Sequence, residues 1–136
     1  MFSKEINSMT KEIIFTEKAP KAIGPYSQAV KAGGFLFVSG QIPINPESGN
    51  LMIASIEEQA NQVILNLKSI CEAAGSGLED IVKLTIYLTD LGNFAKVNEA
   101  MLEHFPEPYP ARATVEVSAL PLGVNVEMDA IVISHE

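Results

Sequence analysis

The sequence predicts an α+β fold, a mixed β-sheet with two helices packed on one of its faces. Three observations predict it. Two segments carry apolar residues at helical spacing, and two helices suffice to cover one sheet face but not both. The other apolar segments are short, alternate in character and are bounded by Gly, Pro and Asn, as strands are. Together they follow the order β-β-β-α-β-α-β-β.

Lys11–Phe15 (KEIIF) reads as the first strand. Ala19–Tyr26 is a loop stiffened by Pro20 and Pro25, with Gly24 between them. Ser27–Ala32 and Phe35–Gly40 are strands around Gly33-Gly34, a pair suited to the positive φ of a hairpin turn. Pro43, Asn45, Pro46 and Gly49 mark the next loop. Ser55 and Glu58 form an S-x-x-E capping box at the start of the first helix. Ala60, Val63, Ile64, Leu67, Ile70, Cys71 and Ala74 make its stripe, and Gly75 suits the position after its end. Ile81–Leu88 alternates, with Val82, Leu84, Ile86 and Leu88 on one face and Lys83, Thr85 and Tyr87 on the other. The second helix covers about Asn93–Phe105 through Phe94, Val97, Met101 and Phe105, and Pro106, Pro108 and Pro110 end it. Ala113–Ser118 and Val126–Ile133 are the last strands, separated by a turn at Leu120–Gly123. The uncovered sheet face is expected to mix Thr85, Tyr87 and Thr114 with apolar groups, which makes it a candidate surface for self-association.

Composition narrows the function. The 136 residues suit one domain, 1–136, with residues 1–8 expected to fray. A 47% hydrophobic share is enough for a core. Nine basic against 17 acidic residues give a net charge of −8, the wrong sign for non-specific nucleic-acid binding. One cysteine and two histidines make neither an internal disulfide nor a good zinc set. No apolar run approaches the ~20 residues of a membrane span. The N-terminus has no apolar core of a secretory signal, so a cytoplasmic protein with a reduced thiol and no membrane partner is expected.

Few side chains are candidates for chemistry. Arg112, the only arginine, opens a strand after Tyr109-Pro110-Ala111. A guanidinium can grip a carboxylate through two parallel hydrogen bonds, though from the residue alone a surface or structural ion pair with a glutamate is the commoner role. Glu127 shares a strand face with Asp129, and a carboxylate among apolar neighbours can hold a water; a solvent-facing strand glutamate is the alternative. Asn98 falls in the stripe of the second helix, either as a ligand contact or as a core amide tying the helix to a loop. Tyr26 ends the rigid IGPY loop and can polarise a ligand or act as a packing lid. Ser39-Gly40 ends a strand where a glycine permits close backbone approach. Cys71 reads as core, His104 as structural at a helix C-terminus, and His135 as frayed. Gly75-Ser76-Gly77 is a cap and turn rather than a phosphate loop.

Several ordered segments together resemble the RidA/YjgF family of reactive-intermediate deaminases. They are APKAIGPYSQAV (Ala19–Val30), FVSGQIPINPESG (Phe37–Gly49), LKSICEAAG (Leu67–Gly75), DIVKLTIYLTDLGNFAKVN (Asp80–Asn98) and YPARATVEVSALPLGVNVEMDAI (Tyr109–Ile131). The resemblance implies a chorismate-mutase-like fold and a homotrimer with ligand clefts between subunits. It implies hydrolysis of 2-imino or enamino acids, such as 2-aminoacrylate or 2-iminopropionate from pyridoxal-phosphate-dependent dehydratases, to 2-keto acids and ammonia, with no metal or organic cofactor. It assigns the substrate carboxylate to Arg112 and the hydrolytic water to Glu127, counts Tyr26 with them as catalytic, and gives substrate contacts to Ser39, Gly40 and Asn98. Many members have a cysteine two residues after the arginine; here Thr114 takes that place among the expected substrate contacts. The alternative is a non-catalytic protein that binds or senses a 2-keto acid. Ribonuclease activity is disfavoured by the charge, and chorismate mutase by the single arginine available for a dicarboxylate.

Overall fold

The computed structural model describes residues 10–135. Residues 1–8, expected to fray, lie outside them. The elements are β1 (Glu12–Ile14), β2 (Ala29–Ala32), β3 (Phe35–Gln41), α1 (Ile56–Ala73), β4 (Ile81–Leu88), α2 (Phe94–His104), β5 (Ala111–Glu116) and β6 (Val126–Ile133). Short 3-10 turns occupy Leu78–Asp80, Leu91–Asn93 and Pro121–Gly123. The order is the expected β-β-β-α-β-α-β-β. The six strands form one sheet in the order β1-β2-β3-β6-β4-β5. Only β4 and β5 pair in parallel, and α2 supplies the crossover that a parallel pair requires.

Helix α1 starts and stops where its caps dictate. Ser55 is extended (φ −154°, ψ 166°) and its hydroxyl accepts the Glu58 N–H at 3.0 Å. Glu58 reaches back to the Ala54 N–H at 3.2 Å, one residue earlier than in a reciprocal capping box. At the far end Gly75 adopts φ 84°, Ser76 N–H donates to Cys71 C=O at 2.8 Å, and Gly75 N–H donates to Glu72 C=O at 3.1 Å. That paired pattern is a Schellman cap. Between the caps, Ala60, Val63, Ile64, Leu67, Ile70 and Cys71 are wholly buried against Leu84, Ile86, Leu88, Val126, Met128 and Val132 of the sheet. Each large aliphatic side chain so buried contributes roughly 1.5–3 kcal/mol relative to exposure. Two polar residues also face inward from α1, Gln59 and Asn66. Asn66 donates to the carbonyls of Ile42 and Ile44, at 3.2 and 3.0 Å, and so fastens the loop after β3 to the helix.

Three expectations about faces need correction. Val82 is not in the core row of β4: the β4–β6 register shifts between Ile81 and Lys83, so Ile81 is buried and Val82 is 37% exposed. Thr114 is not on the open face: it is registered to Ile86, whose side chain points to the helices. Phe94 is 38% exposed rather than part of the buried stripe, because its ring lies against the Arg112 guanidinium. The open face itself carries Tyr87 beside Glu127, Thr85 beside Asp129, Phe37 beside Ile131 and Phe35 beside Ile133. Phe35 and Phe37 remain 42% and 45% exposed there, their ring centroids 6.4 Å apart.

Candidate active site

The first cavity forms where the loop before β2 meets the ends of β3 and β6. Pro25 presets the loop, and Tyr26 N–H closes a tight turn on Gly24 C=O at 2.8 Å. Gln28 holds this loop down. Its Oε1 accepts from Thr16 N–H at 2.7 Å, while its Nε2 donates to Thr16 C=O at 3.0 Å and Pro20 C=O at 2.8 Å. Gln28 escapes sequence reasoning, although an amide beside a loop with no ladder partners is the signal that marks such a residue. Tyr26 stays half exposed, its ring at the mouth of the cavity and its hydroxyl 3.4 Å from Ile23 N–H.

Ser39 and Gly40 form a bulge in β3. The pairing to β6 passes from Val38–Ala130 to Gln41–Met128, so β3 holds one extra residue there. Ser39 is pinned by its N–H to Gln28 C=O at 2.9 Å and by its hydroxyl to Ser27 C=O at 2.6 Å. The space over Gly40 is filled by Glu127, because a β-carbon on Gly40 would overlap Glu127 Oε2. Tyr26, Ser39, Gly40 and Glu127, with Ile23 and Pro121, thus line one cavity of about 380 Å³. Burial, and then the negative charge of Asp129, push the Glu127 carboxyl above its ordinary range. Tyr87 donates its phenol proton to Asp129 Oδ2 at 2.9 Å, and that bond raises the Tyr87 pKa in turn.

The second cavity lies at the outer edge of the sheet, between β5 and α2. Arg112 Nη1 donates to Asn98 Oδ1 at 2.5 Å and to Met101 Sδ at 3.4 Å, and the guanidinium carbon sits 5.0 Å from the Phe94 ring centroid. An amide, a thioether and a ring face orient this cation without neutralising it. Among the described residues Arg112 has no carboxylate partner. Arg112 and Asn98, with Met101, Leu102, Tyr109 and Pro110, line a groove of about 440 Å³. Asn98 therefore ties its helix to a strand, rather than to a loop, through the arginine.

The remaining candidates fall outside both cavities. Thr114 lines neither cavity, and its Oγ1 is buried with no hydrogen-bond partner among the described residues. Cys71 is wholly buried, and burial, followed by Asp80, Glu72 and Glu79, pushes its thiol up to about 12. His104 Nε2 lies 2.5 Å from Asn61 Oδ1, which joins the two helices. His135, expected to fray, lies 3.0 Å from Asp80 through its Nε2. Among the described residues no group of three or more His, Cys, Asp or Glu side chains is placed to hold a metal ion. Nor is any described helix long and apolar enough to cross a membrane.

A family model described as endoribonuclease L-PSP matches residues 16–134. A RutC family protein of Pyrococcus abyssi is 59% identical over 90% of this chain and 97% of its own length. The chain belongs to the RidA/YjgF family. The 2-iminobutanoate/2-iminopropanoate deaminase of Bos taurus is 41% identical over 94% of this chain and 93% of its own length. The crystal structure of RidA from the Antarctic bacterium Psychrobacter sp. superposes with a TM-score of 0.87 at 49% identity, over 90% of this chain and 98% of that one. The sheet and its two helices are thus the RidA fold.

Proposed function

We propose that this RidA/YjgF protein hydrolyses 2-imino acids, formed from enamino acids such as 2-aminoacrylate, to 2-keto acids and ammonia. Arg112 binds the substrate carboxylate in the groove beside Asn98. Glu127 holds and deprotonates a water, which adds to the imine carbon. The nitrogen takes up protons and leaves as ammonia, and the carbon–oxygen double bond of the keto acid forms. Tyr26 and the main chain at Ser39-Gly40 orient the imine nitrogen. A fixed cation for the carboxylate and a basic carboxylate for the water are what this reaction asks of a protein.

The observation that carries the reading is an arginine held by Asn98, Met101 and Phe94 with no carboxylate partner among the described residues. The deaminase name of the bovine relative supports the choice of reaction. The two cavities share no lining residue. Separate linings suit a cleft built from neighbouring copies, and the exposed Phe35–Phe37 face supports a homotrimer by offering a surface for it. The endoribonuclease description of the family model fits this chain poorly, because net charge −8 repels a polyanion.

The test is release of ammonia and pyruvate from freshly generated 2-iminopropionate. Wild-type protein accelerates it and Arg112→Ala does not, while the variant keeps its oligomeric mass. An Arg112→Ala variant as fast as wild type sinks the mechanism. Tight pyruvate binding with no rate above buffer leaves the 2-keto-acid binding protein instead.

A further inference from the structure

Glu127 has two neighbours that the proposed reaction leaves unused. Tyr87 is its registered partner on β4, and Asp129 is the next residue on the same face of β6. The phenol of Tyr87 donates to Asp129 Oδ2 at 2.9 Å, so the two residues flanking Glu127 are bonded to each other across the strands. This bond fixes the Asp129 carboxylate on the open face next to Glu127. Among the described residues of one copy, the other elements around Glu127 bring no opposing charge. From β3 it meets Ser39 and Gly40, and from the loop before β2 it meets Tyr26. Along β4, Thr85 is uncharged and Lys83 is registered to Ile131, two residues beyond Asp129. Within one copy Arg112 lies in the other cavity; in the proposed cleft a neighbouring copy's Arg112 is the opposing charge, and it is common to every variant compared below.

We propose that Tyr87 and Asp129 are positioning residues for Glu127, with Tyr87 holding the Asp129 charge where it makes Glu127 a stronger base toward the attacking water. This rests on the assignment of Glu127 as that base. The Asp129 charge disfavours a second negative charge beside it, which raises the proton affinity of Glu127. A base whose proton affinity lies closer to the operating pH transfers protons more effectively. The Tyr87 hydroxyl fixes the rotamer of Asp129, so its charge stays beside Glu127.

The experiment is the pH dependence of kcat/KM for 2-iminopropionate in wild type, Asp129→Asn, Tyr87→Phe and Glu127→Gln, with sedimentation confirming the oligomeric state of each. Wild-type activity rises with pH as Glu127 loses its proton. Asp129→Asn moves that acid limb to lower pH, because Glu127 no longer ionises beside a charge. Tyr87→Phe moves it the same way by a smaller amount, because the Asp129 charge is no longer held beside Glu127. A role confined to packing would lower activity at every pH and leave the limb in place. An unmoved limb in Asp129→Asn, with Glu127→Gln inactive, overturns this inference alone. A Glu127→Gln enzyme that keeps both activity and limb overturns the base assignment and this inference with it. Should Asp129→Asn fail to assemble, Tyr87→Phe carries the same decision, since it removes one oxygen and no charge.

Discussion

The α-carbon of Gly40 lies against the carboxylate of Glu127, so close that a β-carbon would overlap Oε2. The bulge at Ser39-Gly40 opens this space, and the missing side chain lets Glu127 lie across it. The backbone of Gly40 is outside the left-handed region, so alanine adds bulk there without backbone strain. The clashing atom is the end of a flexible side chain, and it will swing away. Gly40→Ala is therefore expected to fold normally and lose much of the about 10²–10⁴-fold that a positioned base contributes. Circular dichroism melting and steady-state kinetics on one preparation check this. A variant with unchanged kcat would mean that the carboxylate position does not matter.

Glu127 also predicts a pH-dependent stability. Burial and Asp129 hold its carboxyl above the ordinary carboxylate range in the folded chain. The folded protein thus binds that proton more tightly than the unfolded one. The stabilising contribution is complete below the ordinary carboxylate value and is lost as the pH rises through the raised one. Above that window the folded chain carries the cost of a half-buried charge. Glu127→Gln removes the cost, so its melting temperature should exceed that of wild type at pH 8 and match it more closely at pH 4. Function and stability then oppose each other at this residue, with the stabler variant inactive. Thermal melts across the two pH values decide it, and a Glu127→Gln that melts lower at pH 8 refutes it.

These two expectations draw on a residue that the sequence marks clearly, and others were less legible for physical reasons. The spans Ile81–Leu88 and Val126–Ile133 are read correctly because alternation is a local signal. Helix α1 is equally plain, since its caps are single residues with fixed chemistry. The misplacement of Val82 comes from a bulge, which is a property of two strands and not of one. Thr114 lies on the helix side against expectation because its orientation depends on the register of a parallel partner reached through a whole helix. The site divides the same way. Spacing places Glu127 and Asp129 together on one face, but nothing local says that Arg112 opens into a different cavity. The fixing of Arg112 by Phe94 and Met101 is likewise a tertiary event.

Thr114 carries a cost that can be removed. Its hydroxyl is buried without a partner among the described residues, and an unsatisfied buried polar group costs about 1–3 kcal/mol. Valine keeps the shape and discards the hydroxyl. Thr114→Val is expected to raise stability by roughly 1 kcal/mol. Because Oγ1 has almost no accessible surface, pyruvate affinity should stay at the wild-type value. Urea melts and calorimetric titration test both halves. A destabilised variant would show that the hydroxyl has a partner in the assembled protein, and a loss of affinity would return Thr114 to the cleft.

Phe37 tests the assembly. It stands on the open face between β2 and β6, registered to Val30 and Ile131, and is 45% exposed in the single chain. A large aromatic side chain left open on a central strand is explained if another copy covers it. Burying it contributes about 1.5–3 kcal/mol, or roughly ten- to hundredfold in association constant for each copy. Phe37→Asp should therefore yield a folded monomer, since the change puts a charge on a surface that the isolated chain leaves in water. Sedimentation velocity at micromolar concentration reads the outcome, alongside far-ultraviolet circular dichroism for the fold. If the site needs Arg112 from one copy and Glu127 from another, the monomer also loses deaminase activity while both residues remain in place. A monomeric Phe37→Asp variant with full turnover would show that one chain holds a complete site.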